Sequence, residues 1–314
     1  MMDYMDVTRS PEYDRNFWNA LRRKDYNPEL LARGKVKGVD TYNLPDSDRR
    51  KFAGYLKNES LFRRIGTVIN LGVGDHKILA KDCEDIADWI DEGEAIPIYE
   101  GIRDFTVNGI DSHKLASLVK FDEEFVRDSS FDFNDYLLRR FARVMGRAEE
   151  KAFISGVGVK QPHGLLKPEV GAETGVTTDG ITYDDIIRLF FALEPEYREH
   201  AMWIMNDETA LHLRTLKSND GDYIWNHADS TILGKPVIIS NFMPSAESGC
   251  LPLLFGDFRY YWIICRRPVS LRALYEQFAV YDQIGYLGIE FLDGRLVRRK
   301  AVKALQIIAS ESEG

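Results

Sequence analysis

The chain has 314 residues, of which 44% are hydrophobic, with five tryptophans, enough for a sizeable core in two domains or one elaborate one. A net charge of −9 excludes sequence-nonspecific nucleic-acid binding as the main task, since that binding needs excess lysine and arginine, although a local basic surface is still allowed. Cys83, Cys250 and Cys265 are too few and too scattered for a disulfide scaffold or zinc site, no apolar run reaches the about 18 residues of a membrane span, and MMDYMDVTRS lacks a signal peptide's regions, so a cytosolic origin is expected.

Ser10-Pro11 sets a capping hydroxyl before a proline at the first helical position. It predicts a short helix with Tyr13, Phe17, Trp18 and Leu21 on one side. Asn27-Pro28 repeats the device and Gly34 ends it. A glycine and polar stretch, 34–44, then leads to a helix from Asp46 to about Leu56. These pieces share little core, so residues 1–60 read as an arm that docks on something else. Residues 67–71 and 77–81 read as strands joined by the turn Gly72-Val73-Gly74-Asp75. From 82 to 121 the β character is confined to 86–90, 105–107 and 115–119, and the middle is acidic with glycine and proline. The economical reading is a protruding hairpin, reaching about 40 Å at 3.3 Å per residue. A hairpin of that length needs a partner to cover it, which points to assembly.

The stretch 131–166, FDFNDYLLRRFARVMGRAEEKAFISGVGVKQPHGLL, carries the strongest periodicity. At 100° per residue, Leu137, Leu138, Phe141, Val144, Met145, Ala148 and Ala152 form an apolar stripe. Arg140, Arg143, Arg147 and Lys151 form a basic stripe beside it. Asp132 caps the start, Asp135 favours the dipole, and Gly156 after Ser155 is expected to stop the helix in a left-handed cap. The result is roughly 22 residues and 33 Å of helix, about twice the usual length, lying along a surface. Gly146 in its middle costs about 1 kcal/mol against alanine, so a bend or a close backbone contact is expected there.

Residues 158–180 are a glycine-rich loop. Thr182, with Asp185 in the capping-box position, opens a helix whose apolar face is Ile186, Ile187, Phe190, Phe191 and Leu193. AMWIM (201–205) is a buried-strand run, 208–217 a helix, and 218–221 a turn. LGKPVIIS, PLLFGDF, YYWIIC and VSLRAL are successive strands. Residues 275–291, a turn at Asp293-Gly294 and residues 300–308 complete a strand-rich end. Helices and strands without a βαβ repeat define an α+β protein.

Little of this carries chemistry. Gly156-Val157-Gly158 follows a helix, whereas a dinucleotide fingerprint follows a strand. The acidic run Asp82, Glu84, Asp85, Asp88, Asp91, Glu92, Glu94 matches no calcium loop and reads as a solvated or partner-facing face. Asn219-Asp220-Gly221-Asp222 lacks the other EF-hand ligands. The six histidines stand singly, and no serine or cysteine occupies a G-x-S-x-G elbow. No catalytic, cofactor-binding or metal-ligating residue is expected.

A series of motifs remains: WIDEG (89–93), FAR-x-x-G-x-x-E-E-x-A-F-x-x-G-x-G (141–158), P-x-G-L (162–165), LEPEYREHAMWIMND (193–207), DGDYIW (220–225), LGKPV (233–237) and FGDFRYYWI (255–263). In this order they resemble the major capsid proteins of tailed bacteriophages, the Hong Kong 97-like fold that encapsulin shells also use, from about Leu61 to the C-terminus. The resemblance implies an N-terminal arm at 1–60, a first part of a peripheral domain at 61–81 and an extended E-loop at 82–117. It puts the rest of the peripheral domain at 118–181, with a spine helix at 132–155, an axial domain at 182–281, and return strands at 282–314. It implies a structural protein, not an enzyme, that self-assembles as pentamers and hexamers into an icosahedral phage head around double-stranded DNA. Portal and scaffolding proteins would be partners, the DNA would be contacted non-specifically, and no membrane or cofactor would be involved.

Two departures accompany the resemblance. Met1 leads almost directly into the arm, so scaffolding is expected to be a separate protein or to have been trimmed from the chain. No lysine lies between Asp82 and Arg103, so the covalent cross-link of some members is not expected. A family E-loop crosses a neighbouring subunit, which makes Asp85, Asp88, Trp89, Asp91, Glu92 and Glu94 candidate assembly residues opposite Arg140, Arg143, Arg147 and Lys151, with Gly146 among them. The basic stripe could instead face packaged DNA. The rival readings are an encapsulin-like compartment and, from another class, a metal-dependent cytosolic enzyme using the 82–94 acids.

Overall fold

Ser10 Oγ accepts the Tyr13 backbone N–H at 3.0 Å and Pro11 fills the first turn, so the first helix, α1 (Pro11–Leu21), forms where its capping pair stands. The computed structural model describes residues 7–31, 33–36, 39–71, 77–81, 105–109, 111–128, 130–217, 223, 225 and 231–308. After α1 come the antiparallel pair β1 (Arg33–Val36) and β2 (Val39–Asn43), then α2 (Asp46–Glu59), α3 (Phe62–Ile65) and β3 (Thr67–Asn70). The strands β4 (Lys77–Lys81) and β5 (Phe105–Gly109) pair antiparallel, from Lys77 against Gly109 to Lys81 against Phe105. That ladder is the root of the expected hairpin; residues 82–104 lie outside the described residues. The chain continues through β6 (His113–Asp122), α4 (Glu123–Arg127) and the long helix α5 (Phe133–Ser155).

The second half holds β7 (Glu173–Thr178), α6 (Tyr183–Ala192), α7 (Pro195–Arg198), β8 (Met202–Met205) and α8 (Asp207–Thr215). It ends with β9 (Thr231–Ile232), β10 (Lys235–Ile239), β11 (Leu253–Gly256), β12 (Tyr261–Leu274), β13 (Gln283–Leu296) and β14 (Val302–Ile307). Two six-stranded sheets result. The first runs β1-β2-β12-β13-β6, with β3 also on β12; the second runs β7-β14-β11-β8-β10-β9. Mixed helices and strands in this arrangement make the protein α+β.

Strand partners differ from the sequence-based reading in three places. The strand β3 pairs parallel with β12, Trp262 to Cys265, rather than with β4, and the expected turn at 72–75 lies outside the described residues. The Asp293-Gly294 pair is not a turn: β13 runs through it, with Asp293 opposite Ile264 and fully buried. And β12, in the 182–281 stretch, lies in the first sheet, while β14, in the 282–314 stretch, lies in the second. Each is a long-range pairing for which alternation along a single strand carries no signal.

The arm reading is corrected too. Tyr13, Phe17, Trp18 and Leu21 of α1 are buried in one core with Phe52 and Leu56 of α2 and with Leu137, Leu138, Phe141 and Met145 of α5. Trp18 Nε1 donates to Asp48 Oδ2 at 2.7 Å, and the Tyr13 hydroxyl donates to the Asn43 carbonyl at 2.7 Å. The short helices looked coreless because their core is supplied by α5, far later in the chain.

Within α5 the Asp132 carboxylate accepts the Asp135 N–H at 3.2 Å, as the sequence requires. Its end differs. Gly156 has φ −64°, ψ 144°, which is extended rather than left-handed. Glycine is needed for space, because a Cβ there would sit 2.1 Å from the Pro162 carbonyl oxygen. The buried face is also rotated: Val144 and Ala148 are exposed, and Phe133, Ala142, Gly146, Glu149, Phe153 and Ile154 join the buried set. The helix is clasped on two sides, by the first sheet and by α2, so its buried arc is wider than one stripe.

Candidate assembly surface

The outward arc of α5 carries Arg140, Arg143, Arg147 and Lys151, all exposed, with Val144 and Ala148 between them. None of the four cations has a hydrogen-bond or ion-pair partner among the described residues. At 1.5 Å per residue they extend over roughly 16 Å. Their neighbour Arg139 differs: it pairs with Asp135 at 2.7 Å and lies 4.8 Å over the Tyr55 ring. Gly146 is not on this surface. It faces the end of α2, where a Cβ would stand 3.1 Å from Glu59 Cβ and 3.3 Å from Leu56 Cδ1. The acidic candidates Asp85, Asp88, Trp89, Asp91, Glu92 and Glu94 lie outside the described residues.

A second cationic surface was not found from the sequence. Along β6, Lys114, Ala116, Leu118 and Lys120 alternate outward, opposite the side packed on α5. The pairing sets Leu118 beside Leu287 and Lys114 beside Phe291, and on the far side of β13 it sets Arg272 beside Leu287. Leu118 keeps 49% of its surface exposed. Only the pairing of β6 with β13 and β13 with β12 unites these residues on one face. In the second half, Phe191 and Leu211 are 64% exposed. Phe191 was expected on the buried face of α6, but Leu189 takes that place, and Arg198 stacks 5.0 Å over the Phe191 ring.

Beneath these surfaces lies a buried charged junction, also missed from the sequence. Arg63 of α3 donates from Nε to Glu149 Oε2 at 2.8 Å, and from Nη2 to Glu149 Oε1 at 2.6 Å and Glu290 Oε1 at 2.7 Å. Cys265 Sγ stands 3.7 Å from Arg63 Nη1. Burial, opposed by Arg63, pushes the Glu149 carboxyl up to about 7, and burial pushes the Cys265 thiol up to about 12. Next door, Asp293 accepts the Asp111 N–H at 3.0 Å and lies 3.5 Å from His113, with burial raising its carboxyl above the usual range. The available signal was the pair Glu149-Glu150 at helical positions where an apolar face had to fall. Among the described residues no three metal-ligating side chains converge, and no helix is long and apolar enough to cross a membrane. What this arrangement offers is association, through the exposed cationic and apolar residues.

Comparison with known proteins gives the class of a protein with these exposed cationic and apolar residues. The chain belongs to the phage capsid family, whose model matches residues 41–307. Its fold is the Hong Kong 97-like capsid fold of tailed-phage major capsid proteins. The capsid of a native GTA particle is 26% identical, with 91% of this chain and 95% of that chain covered at a TM-score of 0.64. The capsid of the empty GTA particle is 27% identical, with 80% and 90% covered at 0.63. At 18% identity the structure from Microbacterium phage Oxtober96 shares the fold, with 89% and 97% covered at 0.60. A capsid polyprotein of Pseudomonas phage PAJU2 is 25% identical over 175 residues, 53% of this chain; the match spans about a quarter of that relative's length, 26%.

Proposed function

We propose that copies of this chain assemble as pentamers and hexamers into the icosahedral head of a tailed phage, enclosing double-stranded DNA. The observation that carries this reading is the family match over 41–307, together with a fold that spans nearly the whole capsid chain of a particle whose structure was computed with C5 symmetry. The protein acts as a structural subunit without catalysis, in the virion shell, and assembles in the bacterial host cytoplasm with scaffolding and portal proteins. Negative-stain microscopy of the full chain, expressed with and without a scaffolding protein, tests it. Closed shells are the expected result; a chain that stays monomeric at every concentration and with scaffold overturns it.

Within that shell, the acids between 82 and 94 of one subunit meet the cations of α5 on its neighbour. The support is complementarity: seven acids lie between 82 and 94, and four cations without a partner among the described residues line one helix. Each exposed pair is worth only about 0–1 kcal/mol, but every subunit repeats it, and salt screens it over about 10 Å at 0.1 M. Reversing Asp91 and Glu92 to lysine should block assembly, and adding Arg143→Glu and Arg147→Glu in the same chain should partly restore it. If the fourfold variant assembles no better than the twofold one, the pairing is wrong. Normal empty shells from the Arg143/Arg147 variant, with only DNA retention lost, would instead assign the stripe to DNA.

A further inference from the structure

The junction of Arg63, Glu149 and Glu290 has an unbalanced charge. One guanidinium faces two carboxylates, and Glu149 and Glu290 are 2% and 3% exposed. Arg63 Nη2 serves both carboxylates, Arg63 Nε serves Glu149 again, and Glu290 Oε2 is buried with no partner among the described residues. An uncompensated charge there would be costly, and a proton is the cheapest remedy. Two carboxylates that share a site cannot both ionise freely, because the first charge opposes the second.

The groups facing the pair are few. Arg63 comes from α3, Glu290 from β13 and the Cys265 thiol from β12. A half-open pocket of about 50 Å³ brings His113 and Lys114 of β6, and Lys160 of the loop after α5, to the Glu149 side. That is room for water to carry a proton in and out. The Tyr261 hydroxyl is nearby but donates to the His163 carbonyl at 2.7 Å. None of these supplies a second fixed cation against the carboxylates in the way Arg63 does.

We propose that Glu149 carries a proton beside Arg63 and Glu290, and that this proton is a latch: with it, α3 is locked to the long helix and to β13, and its loss loosens that junction. Because α3 follows α2 directly, the latch sits where the N-terminal sixty residues join the body. The partner groups reinforce one another's placement: the adjacent Glu150 accepts the Leu61 N–H at 3.4 Å and the Ser240 hydroxyl at 2.6 Å.

The direction follows from linkage. Glu149 ordinarily titrates near 4.5 and here near 7, so the closed junction binds more protons than the open one between those values. Closure is fully stabilised below pH 4.5, weakens as pH rises, and levels off above about 7. Hydrogen exchange of the full chain at residues 61–66, corrected for the intrinsic rate and referenced to α1, reads this directly. Protection should fall by up to about tenfold per pH unit between pH 5 and 7, as one proton requires, then flatten. Glu149→Gln imitates the protonated form and should abolish the slope and leave 61–66 better protected than wild type at pH 8, whereas Glu290→Gln removes one opposing charge and should only reduce the slope. A wild-type slope of zero, or an equal slope in Glu149→Gln, overturns the proposal. Should neither variant fold, the infrared spectrum of the wild type decides: a protonated-carboxyl band present at pH 6 and gone at pH 8 supports the latch, and no such change refutes it.

Discussion

Gly146 is where a small perturbation has a magnitude that can be worked out. Alanine would recover about 1 kcal/mol of helix propensity. Its Cβ would stand 3.1 Å from Glu59 Cβ, and 3.3 Å from both the Glu59 carbonyl carbon and Leu56 Cδ1, so α2 must yield by a few tenths of an ångström. Glu59 is the last residue of α2 and exposed, so its end can give; Gly146→Ala should fall within about 1 kcal/mol of wild type. Leucine adds three more carbons against Leu56, which is 1% exposed and cannot swing aside. Overpacking of this kind costs about 1–3 kcal/mol, and here the upper end applies. After the propensity gain, Gly146→Leu should lose about 2 kcal/mol, roughly 30-fold in the unfolding constant. Urea unfolding of the dissociated full-length chain measures this, with particle yield followed in parallel. As a candidate assembly residue Gly146 would affect particle formation first; the contact lies within one subunit, so folding should suffer first. A Gly146→Leu chain with the wild-type urea midpoint would refute the account.

Phe17→Ala should cost the isolated chain about 3–5 kcal/mol, because Phe17 is fully buried in the core shared with α5; unchanged thermal stability would return residues 1–60 to the status of a free arm. Arg63→Met strands two buried carboxylates and should destabilise by about 3–5 kcal/mol at pH 8, with part recovered at pH 5; a loss independent of pH would contradict the junction's charge count. Thr182→Ala removes half of a complete capping box with Asp185 and should cost about 1 kcal/mol in a thermal melt.

Local signals are legible in the sequence for a physical reason: a cap or a helical stripe is written within a few residues of where it acts. Ser10, Asp132 and Thr182 cap the helices they were expected to cap. The exposed cations at 140, 143, 147 and 151 fall on one arc because 3.6 residues per turn put them there. What stayed illegible depends on partners distant in sequence. Glu149 looked like a surface charge because Arg63 and Glu290, its reasons for being buried, lie 86 and 141 positions away. Leu118 and Arg272 could not be set on one face until β13 was placed between their strands. The family motif containing Glu149 and Glu150 was visible, but its work was not.

That work bears on whether the two sheets are separate bodies. The chain passes from the first sheet to the second after β6, back before β12, and across again before β14, three crossings in all. A core between the sheets joins Phe62 and Phe153 to Ile204 and Leu254 on one side, and to Tyr261, Ile263 and Leu292 on the other. Phe153 sits at its centre, fully buried, its ring 5.8 Å from Phe62 and 5.3 Å from Tyr261. Phe153→Ala should therefore cost about 3–5 kcal/mol and lower both sheets together. Exchange protection of β13 amides and of β8 and β11 amides should fall by the same factor, in one cooperative transition. If only one sheet loses protection, the sheets unfold as independent units, and the shared core does not couple them. Three crossings alone would not prevent that outcome, since a connecting segment transmits little without packing. Packing around Phe153, not the crossings, is therefore what would couple the two sheets.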